Sequence, residues 1–441
     1  MNRPVPCPSL ANGADPRGMT RISLLLLMMG ACGAAPLPVA RPTGPIALDL
    51  ARRYFDEARM ACANDAGRLW GVSLCGPLMF ADRATRFVVA NVPDAGGEMQ
   101  PRGGVYVGTL PADQNIANTA FAWSGVRWTQ VMWPLPDDVD ARGDTLLHEM
   151  FHRVQPGLGL EAPPTSNGHL ATMEGRISLQ LEWRALARAL EAHDDATRRA
   201  AVEDALAFRA SRHQADREDA LDIQEGLPAY TGVRLGARDP AARALADMAA
   251  HLVDRSFERS FAYVTGPAYG LLLDRYDPTW RTRIRSVRSL ATLLARALGV
   301  SLGSSDADQR ASRYGGATLR ASERDRQVRH DAEMATYRAA LVDGPIVELG
   351  FRAMKIQFDP DEVMSFDDLG NVYPHLRVAD EWGVLEASNG ALVHADWSGV
   401  VVAGPITDGS PIRGTGWTLA LAPGFELAPG PRHGDLMVVK K

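Results

Sequence analysis

Two histidines four residues apart flank a glutamate in His148-Glu149-Met150-Phe151-His152. In an α-helix, residues at this spacing lie one turn apart on the same face, so both imidazoles reach a single tetrahedral Zn2+ ion and Glu149 faces its open position. The chemistry this arrangement suits is hydrolysis: a carboxylate there takes a proton from metal-bound water and later delivers it to a leaving amine. Thr145, Leu146, Met150, Phe151 and Val154 surround the five residues with an uncharged frame, in which Arg153 is the exception. A catalytic zinc needs a third protein ligand. A carboxylate from a later helix is expected, and the candidates are Glu161, Glu174, Glu182 and Glu225.

The metzincin continuation is absent, because Gln155 and Leu158 occupy the positions where Gly and His are required. The segment Gln224-Glu225-Gly226-Leu227-Pro228-Ala229-Tyr230-Thr231-Gly232 instead resembles the E-G-x-A-x-Y segment of gluzincin metallopeptidases, which include thermolysin-like and aminopeptidase N-like enzymes. The resemblance implies that Glu225 is the third zinc ligand and that Gly226 lets its helix approach the metal helix. Pro228 replaces the usual Ala; it costs about 3 kcal/mol in a helix interior but little in a first turn, so Glu225 is expected at a helix N-terminus. Glu174, followed by Gly175, keeps a spacing to His152 closer to that of thermolysin-like enzymes and is the alternative ligand. Glu182 reads as a structural acid paired with Arg184 or Arg188. Further on, the stretch from Phe261 to Leu272 resembles the Y-x-x-G segment from which aminopeptidase N-like enzymes supply a transition-state tyrosine; Tyr263 fits it best and Tyr269 is the runner-up. The resemblance covers roughly residues 145–273. It implies a zinc metallopeptidase acting on a peptide or protein substrate.

The elements that must position these residues form an α+β arrangement. Apolar residues at helical spacing predict a helix over 49–66, and β-like runs follow at 70–74, 86–92, 105–110 and 126–133. Pro134, Pro136 and Asp137-Asp138 lead into the metal helix, which is expected to run to about Gln155. Residues 170–338 read as nearly all helical, broken at Asp239-Pro240, Asp277-Pro278, Gly303 and Gly315-Gly316. Within them, Leu179, Trp183, Leu186 and Leu190 form an apolar stripe that reads as core packing, with a lid over the cleft as the alternative. Strand-like runs at 345–356, 384–393, 399–402 and 416–422 predict a β-rich module. The expected organisation is a leader and linker over 1–44, a zincin-like catalytic domain over 45–341 and the β module over 342–441. The catalytic domain divides into a sheet-containing part, 45–137, and a helical part, 138–341. An extended substrate is expected to pair with an edge strand at 105–110 or 126–133. Gly96-Gly97-Glu98-Met99 is only faintly like an aminopeptidase loop that reads a substrate's amino terminus and is expected to be a turn. Trp123, Trp128 and Trp133 read as strand-face packing or a cleft lining.

Of 441 residues, 46% are hydrophobic and 23% charged, which suits packed domains. Lys+Arg 47 against Asp+Glu 53 gives a net charge of −6, so there is no basic field for nucleic acid. Residues 22–31 form an apolar run behind Arg21, the layout of a secretory signal, with Met19 an alternative start to Met1. Met29-Gly30-Ala31-Cys32 resembles a lipobox, which implies an exported periplasmic or cell-envelope lipoprotein anchored through Cys32; simple secretion is the alternative. Cys62 and Cys75 remain in the mature chain and are expected either to form one disulfide or to stay buried thiols. The competing function is a non-catalytic envelope lipoprotein, with or without bound zinc, that acts through its C-terminal β module. Glu149 argues against it, since a purely structural site gains nothing from a free carboxylate beside an open coordination position.

Overall fold

The computed structural model describes residues 46–441, apart from 112–113, 164, 213, 304–305 and 359–361; the leader, with Met19 and Cys32, lies outside the described residues. The chain is a mixed α and β protein. Helix α1 (Leu48–Asp65) buries Ala51, Tyr54, Phe55, Ala58 and Cys62, one face at helical spacing. Cys62 and Cys75 are disulfide-bonded, with Cα atoms 5.4 Å apart. The run at 70–74 is not a strand: it follows Gly67 and includes Gly71, both at positive φ. Its apolar character serves burial instead. Trp70 sits among Phe151, Tyr230 and Trp280 and donates to Thr231 Oγ1 at 2.9 Å.

Among the strands that sequence periodicity misses is β1 (Leu78–Asp82), buried on both faces and therefore without alternation. It pairs antiparallel with β2 (Phe87–Ala90) and parallel with β6 (Val126–Trp133). With β3 (Gln100–Arg102), β4 (Val105–Thr109) and β5 (Thr119–Trp123) the sheet order is β3-β4-β2-β1-β6-β5. The edge strand nearest the metal helix is therefore β5, and both 105–110 and 126–133 lie inside the sheet. Gln130 Oε1 accepts from the Ala117 N–H at 2.9 Å, and Asn118 Oδ1 from the Met132 N–H at 2.8 Å, fixing the entry to β5. Trp128 is fully buried and Trp133 packs on Tyr54 and Phe80, so neither lines a cleft. The Gly96–Met99 turn is held by Asp94, which accepts from the Glu98 and Met99 N–H groups.

Helix α2 (Val139–Val154) carries the two histidines. Asp138 caps it by accepting from the Ala141 N–H at 2.8 Å. Buried Arg142 fixes its first turn with paired bonds to Glu57 and bonds to the Pro136 and Asp137 carbonyls. Arg153, the charge in the uncharged frame, points away from the ligand face and donates to the Leu74 and Cys75 carbonyls at 2.7 and 3.0 Å. The disulfide loop and the C-terminal end of the metal helix are thereby joined.

The helical region comprises α3 (Met173–Glu191), α4 (Asp195–Ser211), α5 (Ala215–Leu221), a π-helical turn over Asp222–Gly226, α6 (Leu227–Gly236), α7 (Pro240–His251), α8 (Phe261–Tyr276), α9 (Trp280–Val287), α10 (Leu290–Leu298), α11 (Ala307–Ala311) and α12 (Gly316–Arg338). Leu179, Trp183 and Leu186 of α3 are fully buried, so this helix is core and no lid. Helices α2 and α6 meet backbone to backbone. A Cβ on Gly232 would lie 2.5 Å from the Asp144 carbonyl oxygen, and one on Gly236 2.3 Å from the Gly143 carbonyl carbon. Gly226 does not face the metal helix as the resemblance implies; it crosses α8 at Gly266, where an added Cβ would lie 2.1 Å from the Gly226 carbonyl oxygen.

Behind this crossing lies a buried ionic network. Arg212 pairs with both oxygens of Glu218 at 2.7 and 2.6 Å and with Glu182 at 2.5 Å, and Arg209 reaches Asp222 at 2.7 Å. Glu182 is thus paired with Arg212 rather than Arg184 or Arg188. Arg184, two residues on, projects about 200° round the helix and donates to the Tyr314 carbonyl.

The C-terminal strands are β7 (Ile346–Gly350), β8 (Lys355–Phe358), β9 (Met364–Phe366), β10 (Gly370–Tyr373), β11 (Leu376–Asp380), β12 (Gly383–Ala387), β13 (Ala391–His394), β14 (Gly399–Ala403), β15 (Ile412–Gly414), β16 (Trp417–Leu421), β17 (Phe425–Pro429) and β18 (Leu436–Lys440). They form a seven-stranded sheet, β17-β18-β7-β14-β13-β10-β9, and a five-stranded sheet, β15-β16-β12-β11-β8. Val347, Leu349, Val378, Trp382, Leu385, Val400 and Leu419 belong to one core cluster spanning both. The run at 345–356 is two strands in different sheets, because Asp380 accepts from the Arg352 and Ala353 N–H groups and bends the chain between them. The run at 384–393 likewise breaks at Gly390, which has φ 95°. Among the described residues no helix is long and apolar enough to cross a membrane.

Burial opposes ionisation of Glu218, but Arg212 and Arg209 overcome it and hold its carboxyl well below the ordinary value. Its stabilising contribution is complete above the unfolded value near 4.5 and is lost as pH falls towards the folded one. Glu218→Gln, which leaves Arg212 underpaired, is expected to cost about 3–5 kcal/mol in urea denaturation at neutral pH. The gap to wild type should narrow progressively below pH 4.5.

Candidate metal centre

His148 and His152 project from one face of α2, with Nε2 atoms 3.1 Å apart. Glu225 Oε2 lies 3.6 Å from the first and 3.4 Å from the second. A tetrahedral zinc at ~2.0–2.1 Å from each ligand requires ligand atoms ~3.3–3.4 Å apart, so the triangle fits such an ion. Glu149 completes the set: its Oε1 is 3.9 Å from His148 Nε2, and its Oε2 is buried without a hydrogen-bond partner in the protein. A buried carboxylate oxygen in that condition calls for a ligand, water or proton.

Glu225 reaches the histidines from the π-turn between α5 and α6, where the Leu227 N–H bonds to the Asp222 carbonyl instead of that of Ile223. Single π-turns recur where a helix must re-aim a functional side chain. Pro228 follows the turn as the second residue of α6, so the expected helix N-terminus is in fact a continuing helix with an altered hydrogen-bond register. Tyr263 holds the carboxylate from the other side, donating from its hydroxyl to Glu225 Oε2 at 3.1 Å while its ring stacks on His148. Arg259 Nη2 is 3.6 Å from Glu225 Oε1.

Burial and mutual charge shift the titrating groups of the site. Burial raises the Glu149 carboxyl above its ordinary value; His148 and His152 oppose this, and Glu225 adds to it. For Glu225, burial is outweighed by the hydrogen bonds and charge of both histidines, which hold it well below the carboxylate range. Burial disfavours the His152 cation, but Glu225 and Glu149 overcome that and hold its pKa up at about 9. One turn before His148, burial pushes Asp144 to about 7, with Asp247 adding repulsion and His148 and Arg243 opposing. Burial and the Glu225 charge raise Tyr263 well above its ordinary value, so it remains a proton donor at neutral pH.

A cleft of about 670 Å3 opens over the triad. Thr119 and Ala120 of β5 form one wall, and Arg243 and His251 of α7 another. Phe358, from β8 of the C-terminal module, also reaches it. Sequence reading missed Phe358, Arg259 and Asp144, which carry no motif, and His251, which stacks on Tyr263 and bonds Asp254 at 2.7 Å. It also passed over Gln155, whose Oε1 lies 2.9 Å from His152 Nδ1. A glutamine three residues after a ligand histidine was the available signal. The remaining candidates lie elsewhere. Glu174 is 67% exposed and pairs with Arg320. Tyr269 donates to Glu182 at 2.5 Å, and Glu161 lines the cleft away from the triad.

Comparison with protein-family models, curated proteins and solved structures finds no match. Metal analysis of identically purified variants separates the two ligand candidates. Glu225→Ala is expected to lose the zinc of the wild type, and Glu174→Ala to keep it.

Proposed function

We propose that the protein is an exported zinc-dependent metallopeptidase with a gluzincin-like, zincin-type catalytic core, in which His148, His152 and Glu225 hold the metal. The observation that carries this reading is the triangle of ligand atoms at 3.1, 3.4 and 3.6 Å beside the unpartnered oxygen of Glu149. Zinc bound there supplies a Lewis acid for a carbonyl oxygen and makes water more acidic.

The protein's own residues supply the rest. Glu149 accepts a proton at its free oxygen and returns it to the leaving amine; its raised affinity for protons suits that exchange. Tyr263, kept protonated, donates a hydrogen bond within the site and steadies Glu225. Edge strand β5 offers its outer backbone groups to an extended peptide, and the cleft walls keep bulk water from the reacting bond. The leader reading places the protein in the periplasm or cell envelope, attached to the membrane through Cys32.

Glu149→Gln separates catalysis from metal binding. Its rate of peptide hydrolysis is expected to fall by about 10²–10⁴-fold or more while zinc content and melting temperature stay at wild-type values. A variant that keeps full activity would rule out Glu149 as the base, and a wild type inert towards a broad peptide library would favour a binding protein acting through its β module.

A further inference from the structure

The side chain of Gln155 touches both halves of the candidate metal centre. It is 1% exposed, one residue beyond α2, and makes four hydrogen bonds. Its amide nitrogen faces the carbonyl oxygens of Leu160 at 3.0 Å, Ile223 at 2.9 Å and Gln224 at 3.2 Å. Its amide oxygen faces His152 Nδ1 at 2.9 Å.

Two of the three carbonyls belong to the π-turn that presents Glu225. The ordinary helical donor to Ile223 is the Leu227 N–H, which here bonds to Asp222. The ordinary donor to Gln224 is the N–H of residue 228, and Pro228 has none. A buried carbonyl without a donor costs about 1–3 kcal/mol, and the two hydrogens of the Gln155 amide, shared with the Leu160 carbonyl, serve both.

The same three acceptors settle which way the amide points. Only the NH2 group can face three carbonyls, so the oxygen must face His152. An oxygen that only accepts requires a hydrogen on Nδ1, so in the neutral, ligating form of His152 the lone pair is on Nε2, facing the other two ligand atoms. The altered turn thus dictates the orientation of one amide, and that amide dictates the tautomer of a ligand on another helix.

We infer that Gln155 is a positioning residue that orients His152 and Glu225 together for metal binding. This rests on the metallopeptidase reading above, and its test keeps the two apart. The mature wild-type chain, Gln155→Ala and the near-isosteric Gln155→Glu are compared by Zn2+ affinity in chelator competition, by the visible spectrum of the Co2+-loaded protein and by melting of the metal-free protein. Gln155→Ala is expected to bind Zn2+ about 10–100-fold more weakly and to shift the Co2+ bands. Gln155→Glu keeps an acceptor for His152 but loses the donors to the turn, so it should also bind more weakly; it serves if the alanine variant does not fold. Folded variants with lowered melting temperatures but wild-type Zn2+ affinity and Co2+ spectra would overturn the inference and leave the metal site standing. A wild type that binds no Zn2+ would overturn the metal reading itself, and the inference with it.

Discussion

Helices α2 and α6 touch through their backbones, and the site depends on that contact. Gly143, Gly232 and Gly236 keep the seam free of Cβ atoms, bringing the turn that bears Glu225 within a few ångströms of two imidazoles on the neighbouring helix. Any larger side chain there would have to separate the helices by more than the tolerance of a metal triangle, since ligand distances are useful only within a few tenths of an ångström. The second close crossing, Gly226 against Gly266, fixes α8 against the same turn and so fixes Tyr263 over His148. Apolar burial drives the helices together, but the glycines set how near they come.

Three carboxyl groups, Asp144, Glu149 and Glu225, lie along one face of the metal helix beside two imidazoles, with little solvent between them. Charges in such a medium interact strongly, so each group's protonation is set by its neighbours. The surroundings absorb the resulting strain unequally. Arg243 serves Asp144 and Asp247, while one oxygen of Glu149 is left without a hydrogen-bond partner. The buried arginine network on the far side of the π-turn holds that turn from behind, with Asp222 bound to Arg209 and Thr265 at one end of it and Glu225 near the other.

The parts legible in sequence were those whose signal is local. His148, Glu149 and His152 declare themselves by helical spacing, and α1 by its periodic apolar face. Glu225 and Tyr263 were nominated through a resemblance, and the fold brings both beside the histidines. Strand β1 was hidden because a strand buried on both faces loses the alternation that marks one. β5 was not read as a strand, and its status as an edge depends on the order of all six strands. The spacing of Gln155 from His152 signals its bond to that imidazole but not its second role. Its importance comes from a missing N–H at Pro228, on a different helix, and no local pattern encodes that. Arg153 looked like a departure from a motif until the Leu74 and Cys75 carbonyls supplied its reason.

The position of β5 at the sheet edge has one more implication. A strand edge bonds only to a chain whose own N–H and C=O groups are turned outward, and a helix or tight turn has already spent those groups on itself. On the proposed reading, a polypeptide that pairs with β5 would therefore have to present an extended segment. If the protein is the peptidase proposed above, selection at this surface would act first on conformation, favouring tails, linkers and exposed edge strands over helices and tight turns.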